Sequence, residues 1–144
     1  TSFLPPCVMV RPRPMSNIQT NNILVIDDDP TGTQLLLTLL GLEGYHGCKL
    51  ENWADPLSDI ERLCPDLVLM DVRLSTIDGL QLLRQIRAHP EPRVAGTPVL
   101  MMSAEDLREQ CQSAGADGFV EKPFELDTLV GAIQHIMEGS LLGN

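Results

Sequence analysis

Six side chains of this 144-residue chain are of types that do chemistry together. Asp27, Asp28 and Asp29 follow the apolar run Ile23-Leu24-Val25-Ile26, Asp71 follows Leu67-Val68-Leu69-Met70, and Ser103 follows Val99-Leu100-Met101-Met102. Lys122 follows Gly118-Phe119-Val120 after one intervening residue, Glu121. Gathered carboxylates repel, and the remedies are a raised pKa, a cationic neighbour or a bound cation. A metal is the economical answer. All-oxygen ligation suits Mg²⁺, which keeps several waters and takes one or two carboxylates together with phosphate oxygens. That combination implies a phosphoryl group. A carboxylate can itself attack phosphorus, while a metal, a lysine and a hydroxyl neutralise charge on the equatorial oxygens. Asp71, alone at the end of its run, is the best placed nucleophile, between the acidic pair and the Ser103/Lys122 side. Taken singly, each Asp reads as a helix cap or loop solvator, Ser103 as an N-cap and Lys122 as a surface charge. Their coincidence at the ends of four runs outweighs those readings.

The elements that would bring them together are written in the alternation of apolar run, turn and amphipathic stretch, repeated five times from Asn22 onward. This is the pattern of a parallel α/β sheet with helices on both faces. Strands are expected at Ile23 to Ile26, Cys48 to Leu50, Leu67 to Met70, Val99 to Met102 and Gly118 to Val120. Helices are expected from Pro30 to about Gly41, after an Asp55-Pro56 cap and first-turn pair, after Asp78-Gly79, from about Glu105 to Ser113, and from Leu126 to Met137. His89 to Gly96 reads as loop. In such open sheets ligands bind beyond the carboxyl ends of the strands, where the strand order reverses, and all six residues fall there.

Composition sets the surroundings. The chain carries ten Lys plus Arg against twenty Asp plus Glu, a formal charge of −10, and Lys49 and Lys122 are its only lysines. Nucleic acid and anionic membrane are poor partners for such a surface. No apolar run approaches the length that spans a bilayer, and prolines interrupt the first residues before a signal core develops. The four cysteines, Cys7, Cys48, Cys64 and Cys111, are widely spaced with no C-x-x-C pair, so no zinc site or disulfide framework is written there and a cytoplasmic location is expected. Residues 1–21 contain Pro5, Pro6, Arg11, Pro12, Arg13 and Pro14 and no acid, and read as an extended tail or non-native remnant, with Met15 a natural start. Residues 22–138 are the expected domain and 139–144 a flexible exit.

Five phrases in order, Ile23-Leu24-Val25-Ile26-Asp27-Asp28-Asp29-Pro30, Pro65-Asp66-Leu67-Val68-Leu69-Met70-Asp71, Val72-Arg73-Leu74 followed by Asp78-Gly79, Met102-Ser103-Ala104, and Gly118-Phe119-Val120-Glu121-Lys122-Pro123-Phe124, resemble the receiver domain of two-component response regulators. The resemblance covers Asn22 to Met137. It implies a (βα)₅ flavodoxin-like fold with a parallel sheet of order 2-1-3-4-5. It also implies phosphoryl transfer to Asp71 from the phosphohistidine of a histidine kinase or histidine phosphotransfer protein. The domain would be a signalling phosphoacceptor rather than an enzyme, catalysing at most its own phosphorylation and dephosphorylation. Asp27, Asp28, Asp71 and the backbone carbonyl of Arg73 would hold Mg²⁺, with Asp29 outside that set. Ser103 and Lys122 would meet phosphoryl oxygens across a cis Lys122-Pro123 bond, and Phe119 would be the switch aromatic. The switch would reshape the face of the fourth helix, fifth strand and fifth helix, toward a downstream effector, a missing output domain or a homodimer. Ser75 stands where such domains commonly have proline, which suggests a looser loop. Arg73 and Glu105 hold positions that in such domains tune phosphoryl lifetime. The leucine-dense first helix is expected to present an edge, through Leu37 or Leu40, to a helical phosphodonor.

Three other readings compete. Asp27-x-Asp29-x-Thr31 also satisfies the phrase of a haloacid-dehalogenase-like phosphatase, which would leave Asp71 without a role. The same stretch imitates the start of a calcium-binding loop, but position twelve is Thr38 and a strand precedes it. A receiver fold used as an unphosphorylated binding module is the third, and it has no need of mutually repelling carboxylates.

Overall fold

The computed structural model describes residues 21–141. Five strands, β1 (Asn22–Ile26), β2 (His46–Lys49), β3 (Leu67–Asp71), β4 (Val99–Ser103) and β5 (Gly118–Glu121), form one sheet in the order β2-β1-β3-β4-β5. All four pairings are parallel. Helices α1 (Pro30–Leu42), α2 (Pro56–Leu63), α3 (Gly79–Arg87) and α4 (Arg108–Ala114) connect them, and α5 (Leu126–Leu141) follows β5. The expected (βα)₅ architecture and strand order are those observed.

Strands buried on both faces need continuous apolar runs rather than alternation. Ile23 to Ile26, Leu67 to Met70 and Val99 to Met102 supply them, and each of these residues is buried. One face carries Leu24, Ile26, Val68, Met70, Val99 and Met101 beneath α2, α3 and α4. The other carries Ile23, Val25, Leu67, Leu69, Leu100 and Met102 beneath α1 and α5, which contribute Leu36, Leu40, Leu129, Ile133 and Ile136. Each such side chain contributes roughly 1.5–3 kcal/mol by leaving water. Because all four pairings are parallel, crossover helices on the two faces bring the C-terminal strand ends to one rim.

Local chemistry sets the helix ends. Asp29 caps α1 by accepting from the Thr31 N–H at 3.3 Å, with Pro30 in the first turn. Asp78 caps α3 by accepting from Leu80 N–H at 3.0 Å. Gly79 is required by space, because a Cβ there would meet the Asp71 carbonyl oxygen and lie 2.9 Å from Val72 Cα. Arg87 fastens the far side: its guanidinium donates to the carbonyls of Gly115 (2.8 Å), Ala95 (2.7 Å) and Thr97 (2.7 Å) and to Asp117 Oδ2 (2.8 Å).

Several expectations are corrected. Asp55 occupies the N-cap of α2 without a side-chain cap bond; its carbonyl instead accepts from the Ser58 hydroxyl at 2.8 Å. The 89–96 loop contains a helical turn, Pro92–Ala95, initiated by Pro92. Helix α4 starts at Arg108 rather than near Glu105, with Leu107 at its N-cap. Helix α5 runs to Leu141 through Gly139, since one glycine weakens a helix without ending it; the exit expected over 139–144 is therefore helical as far as 141. Asn21, assigned to the tail, already belongs to the fold, its carbonyl accepting from His46 N–H at 2.9 Å. The rest of the tail, 1–20, and residues 142–144 lie outside the described residues. Cys48 and Cys111 are free thiols. No described helix is long and apolar enough to cross a membrane.

Candidate functional site

The C-terminal ends of β1, β3 and β4 and the residue after β5 deliver Asp27, Asp71, Ser103 and Lys122 to one rim. Lys122 binds them together. Its Nζ lies 2.6 Å from Asp71 Oδ2 and 3.6 Å from Asp27 Oδ2, and both carboxylates are buried at 8% exposure. Burial works against the ammonium charge, but the hydrogen bond to Asp71 and the charges of Asp71 and Asp27 outweigh it, so the Lys122 pKa is raised. The peptide bond Lys122-Pro123 is cis, as expected. Ser103 is fully buried; its hydroxyl accepts from Glu105 N–H at 3.1 Å and its carbonyl from Lys122 N–H at 2.8 Å.

The other oxygens are held by backbone. Asp71 Oδ1 accepts from Arg73 N–H at 3.0 Å, and Asp27 Oδ1 from Asp29 N–H at 3.0 Å. Buried Thr33 donates its hydroxyl to the Asp27 carbonyl at 2.9 Å, tying α1 to the rim. Asp28 is exposed and turned aside: its Oδ2 accepts from Ser75 N–H, and hydrogen bonding to the Ser75 side chain, then to its N–H, holds the carboxyl below the ordinary range. The loop after Asp71 is therefore tied down rather than loose. Proline at position 75 could not make this bond, and an antiparallel bridge between Arg73 and Asp78 closes the loop at its base. Across the rim, Arg73 NH2 pairs with Glu105 Oε1 at 2.5 Å, both exposed.

Among the described residues no three Asp, Glu, His or Cys side chains converge as a ready metal cage. The donor set nevertheless fits Mg²⁺, which takes few protein ligands and keeps its waters. Asp27 and Asp71 already share one positive charge, the Lys122 ammonium, and Asp28, next to Asp27 in the chain, presents its carboxylate to the Ser75 N–H. Beside this acidic pair opens a cleft of about 680 Å³ lined by Pro30, Lys49, Leu50, Glu51, Trp53 and Thr76 among others.

Of the residues singled out in the sequence, Asp27, Asp71, Ser103 and Lys122 meet, Asp28 and Arg73 stand at the edge, and Phe119 lies apart on β5, half-buried against the core. Asp29 caps α1 through Oδ1. Ser75, Thr33 and Gly79 were not singled out as site residues. The substitution of Ser for Pro at 75 was the available signal for the first; the backbone-directed role of Thr33 leaves none.

A family model described as the response regulator receiver domain matches residues 23–134. Regulatory protein AtoC of Escherichia coli strain K12 is 35% identical over 121 residues, 82% of this chain and 25% of AtoC. Among solved structures, a protein of Chloroflexus aurantiacus J-10-fl assigned to the response regulators superposes with a TM-score of 0.76 at 30% identity, covering 83% of this chain and 99% of that one. The receiver domain of sensor histidine kinase PA1611 from Pseudomonas aeruginosa PAO1, solved with magnesium coordinated in its active-site cleft, gives 0.73 at 27% identity, covering 83% and 99%. The chain spans a quarter to about half of the length of the curated relatives it matches. With the strand order, the acidic rim and its lysine already in place, these matches show that the chain belongs to the response regulator receiver domain family, the phosphoacceptor modules of two-component signal transduction.

Proposed function

We propose that Asp71 accepts a phosphoryl group from the phosphohistidine of a histidine kinase or phosphotransfer protein. The observation that carries this reading is the Lys122 ammonium set between Asp71 and Asp27, 2.6 Å and 3.6 Å away, on a rim that also holds the Ser103 hydroxyl. An Asp71 carboxylate oxygen forms the new P–O bond as the P–N bond breaks, and the leaving imidazole takes a proton. Asp27, Asp28, Asp71 and the Arg73 carbonyl would hold Mg²⁺, which when bound supplies charge neutralisation at the phosphoryl oxygens. Lys122 passes from the carboxylate to a phosphoryl oxygen, and the Ser103 hydroxyl donates to another. Arg73 N–H keeps the carboxylate oriented throughout.

Ser103 drawn toward the phosphoryl group leaves space on its face of the sheet, into which Phe119 turns. That movement remodels the face of α4, β5 and α5 for a downstream effector, an output domain or a second copy. Phosphorylation thereby shifts an existing equilibrium by its differential affinity for the two forms.

The test is intact mass after incubation with a small phosphodonor, with and without Mg²⁺, for wild type and Asp71→Asn. A Mg²⁺-dependent gain of one phosphoryl group, absent in the variant, is expected. No gain under conditions that label a control receiver would favour the unphosphorylated binding module. Steady phosphate release with Asp27 essential would revive the phosphatase.

A further inference from the structure

The cation–π contact among the described residues lies on the proposed switch: Arg108 Cζ stands 5.2 Å from the centroid of the Phe119 ring. Arg108 is the first residue of α4, and its side chain is 59% exposed. Its other charge contact is loose, 3.7 Å to Asp106 Oδ1. Phe119 is half-buried, and the two residues line a surface depression of about 260 Å³ with Cys111, Gln112, Ala116, Asp117 and Gly118.

The strand register gives this contact a consequence. Phe119 pairs with Met101 across β4 and β5, and Ser103 lies two residues beyond Met101. Alternation puts residues 101 and 103 on one face of the sheet. Met101 and Phe119 both pack in the cluster beneath α2, α3 and α4. The ring therefore lies between two environments on that face: the buried side toward Met101 and Ser103, and the surface depression under the Arg108 guanidinium. A guanidinium over an aromatic face attracts it electrostatically.

We infer that Arg108 is a positioning residue that retains Phe119 at the surface depression and so sets how readily the switch turns. The inference rests on the proposed switching role of Phe119. Attraction at an exposed site, about 0.5–1 kcal/mol, corresponds to a two- to five-fold bias between ring positions. Nothing in the phosphoacceptor chemistry passes through Arg108.

The test titrates beryllofluoride, a phosphoryl mimic, in the presence of Mg²⁺ into wild type, Arg108→Ala, Arg108→Gln and Arg108→Lys. Ring-labelled phenylalanine reports the ring, with Phe119→Leu assigning it among the three phenylalanines. Expected is a two- to five-fold lower midpoint for the Ala and Gln variants and a near-wild-type midpoint for Lys, with Phe119 resonances of Ala and Gln already displaced toward their mimic-bound positions. Loss of a merely structural contact would not tighten the mimic. Unchanged midpoints and resonances in Ala and Gln would overturn the inference, as would a Lys variant shifted as far as Gln. A wild type that binds no mimic would strike the phosphoacceptor reading instead, and the resonances without mimic would still decide whether Arg108 holds the ring.

Discussion

Two buried carboxylates face one ammonium on the rim, with Lys122 Nζ 2.6 Å from Asp71 and 3.6 Å from Asp27. On the proposed reading, an ammonium in that place would both compete with a divalent cation and prepare the site for a phosphoryl group. Lys122→Met should separate the two roles. Mg²⁺ should bind more tightly, because the carboxylates lose their internal counter-ion. Phosphoryl transfer should slow by roughly 10²-fold, the scale of removing one preorganised donor. Trp53, the chain's single tryptophan, lines the cleft shared with Asp27 and Asp28, so its fluorescence can report the Mg²⁺ titration. Weaker Mg²⁺ binding in the variant would contradict this account.

Asp59 illustrates what side-chain type alone conceals. It is 3% exposed, and its Oδ2 accepts from the backbone N–H groups of Glu51 (2.8 Å) and Asn52 (3.0 Å), in the loop after β2. Burial pushes its pKa up, but these bonds and the Arg62 guanidinium at 3.0 Å outweigh burial and lower it. A lowered folded pKa means that its stabilisation is complete above the unfolded value of about 3.9 and is lost as pH falls through the folded value. Asp59→Ala should cost about 1–3 kcal/mol at pH 7 by leaving backbone donors unsatisfied, and should flatten the acid limb of stability below about pH 4. Urea unfolding across that range measures both. Asp71 and Lys122 were legible because strand-end position and charge announce them. Asp59 and Ser75 were not, because their partners are backbone N–H groups that any residue supplies.

At the scale of elements, legibility followed burial. Strands β1, β3 and β4, covered on both faces, appear in the sequence as unbroken apolar runs; edge strand β2, His46–Lys49, is half-exposed and begins two residues before its expected start. Helix α1 shows why leucine density could not identify a docking edge. Leu40 is fully buried and Leu37 packs against the core, whereas Leu35 and Leu42 are 57% and 76% exposed. The exposed edge thus runs through Leu35 and Leu42, two turns apart, and not through the residues the sequence suggested. Leu40→Ala should cost about 2–5 kcal/mol. Leu35→Gln should change stability by less than about 0.5 kcal/mol. If a helical phosphodonor reads this edge, Leu35→Gln should still slow transfer severalfold from the protein donor while leaving transfer from a small phosphodonor unchanged; slowing with both donors would place the effect in the site itself.

The whole molecule unites a strongly acidic surface with a rim that asks for positive charge. The folded region holds all twenty acidic residues and eight of the ten basic ones, the other two being Arg11 and Arg13. Salt in general should therefore screen self-repulsion, and a site-bound ion must be distinguished from that effect. A ligand that binds only the folded state at a hundred times its Kd adds about 2.7 kcal/mol. For a domain of this size that raises the thermal midpoint by several degrees. Mg²⁺ should produce such a rise, sodium chloride at matched ionic strength should produce less, and Asp28→Ala should bring the Mg²⁺ effect down to the sodium chloride level. Asp28 is the informative position because its carboxylate is exposed and contacts Lys122 in no ion pair among the described residues, so its loss leaves the Lys122 bridge between Asp27 and Asp71 standing. Equal stabilisation by the two salts in wild type would mean that the acidic rim is satisfied by Lys122 alone.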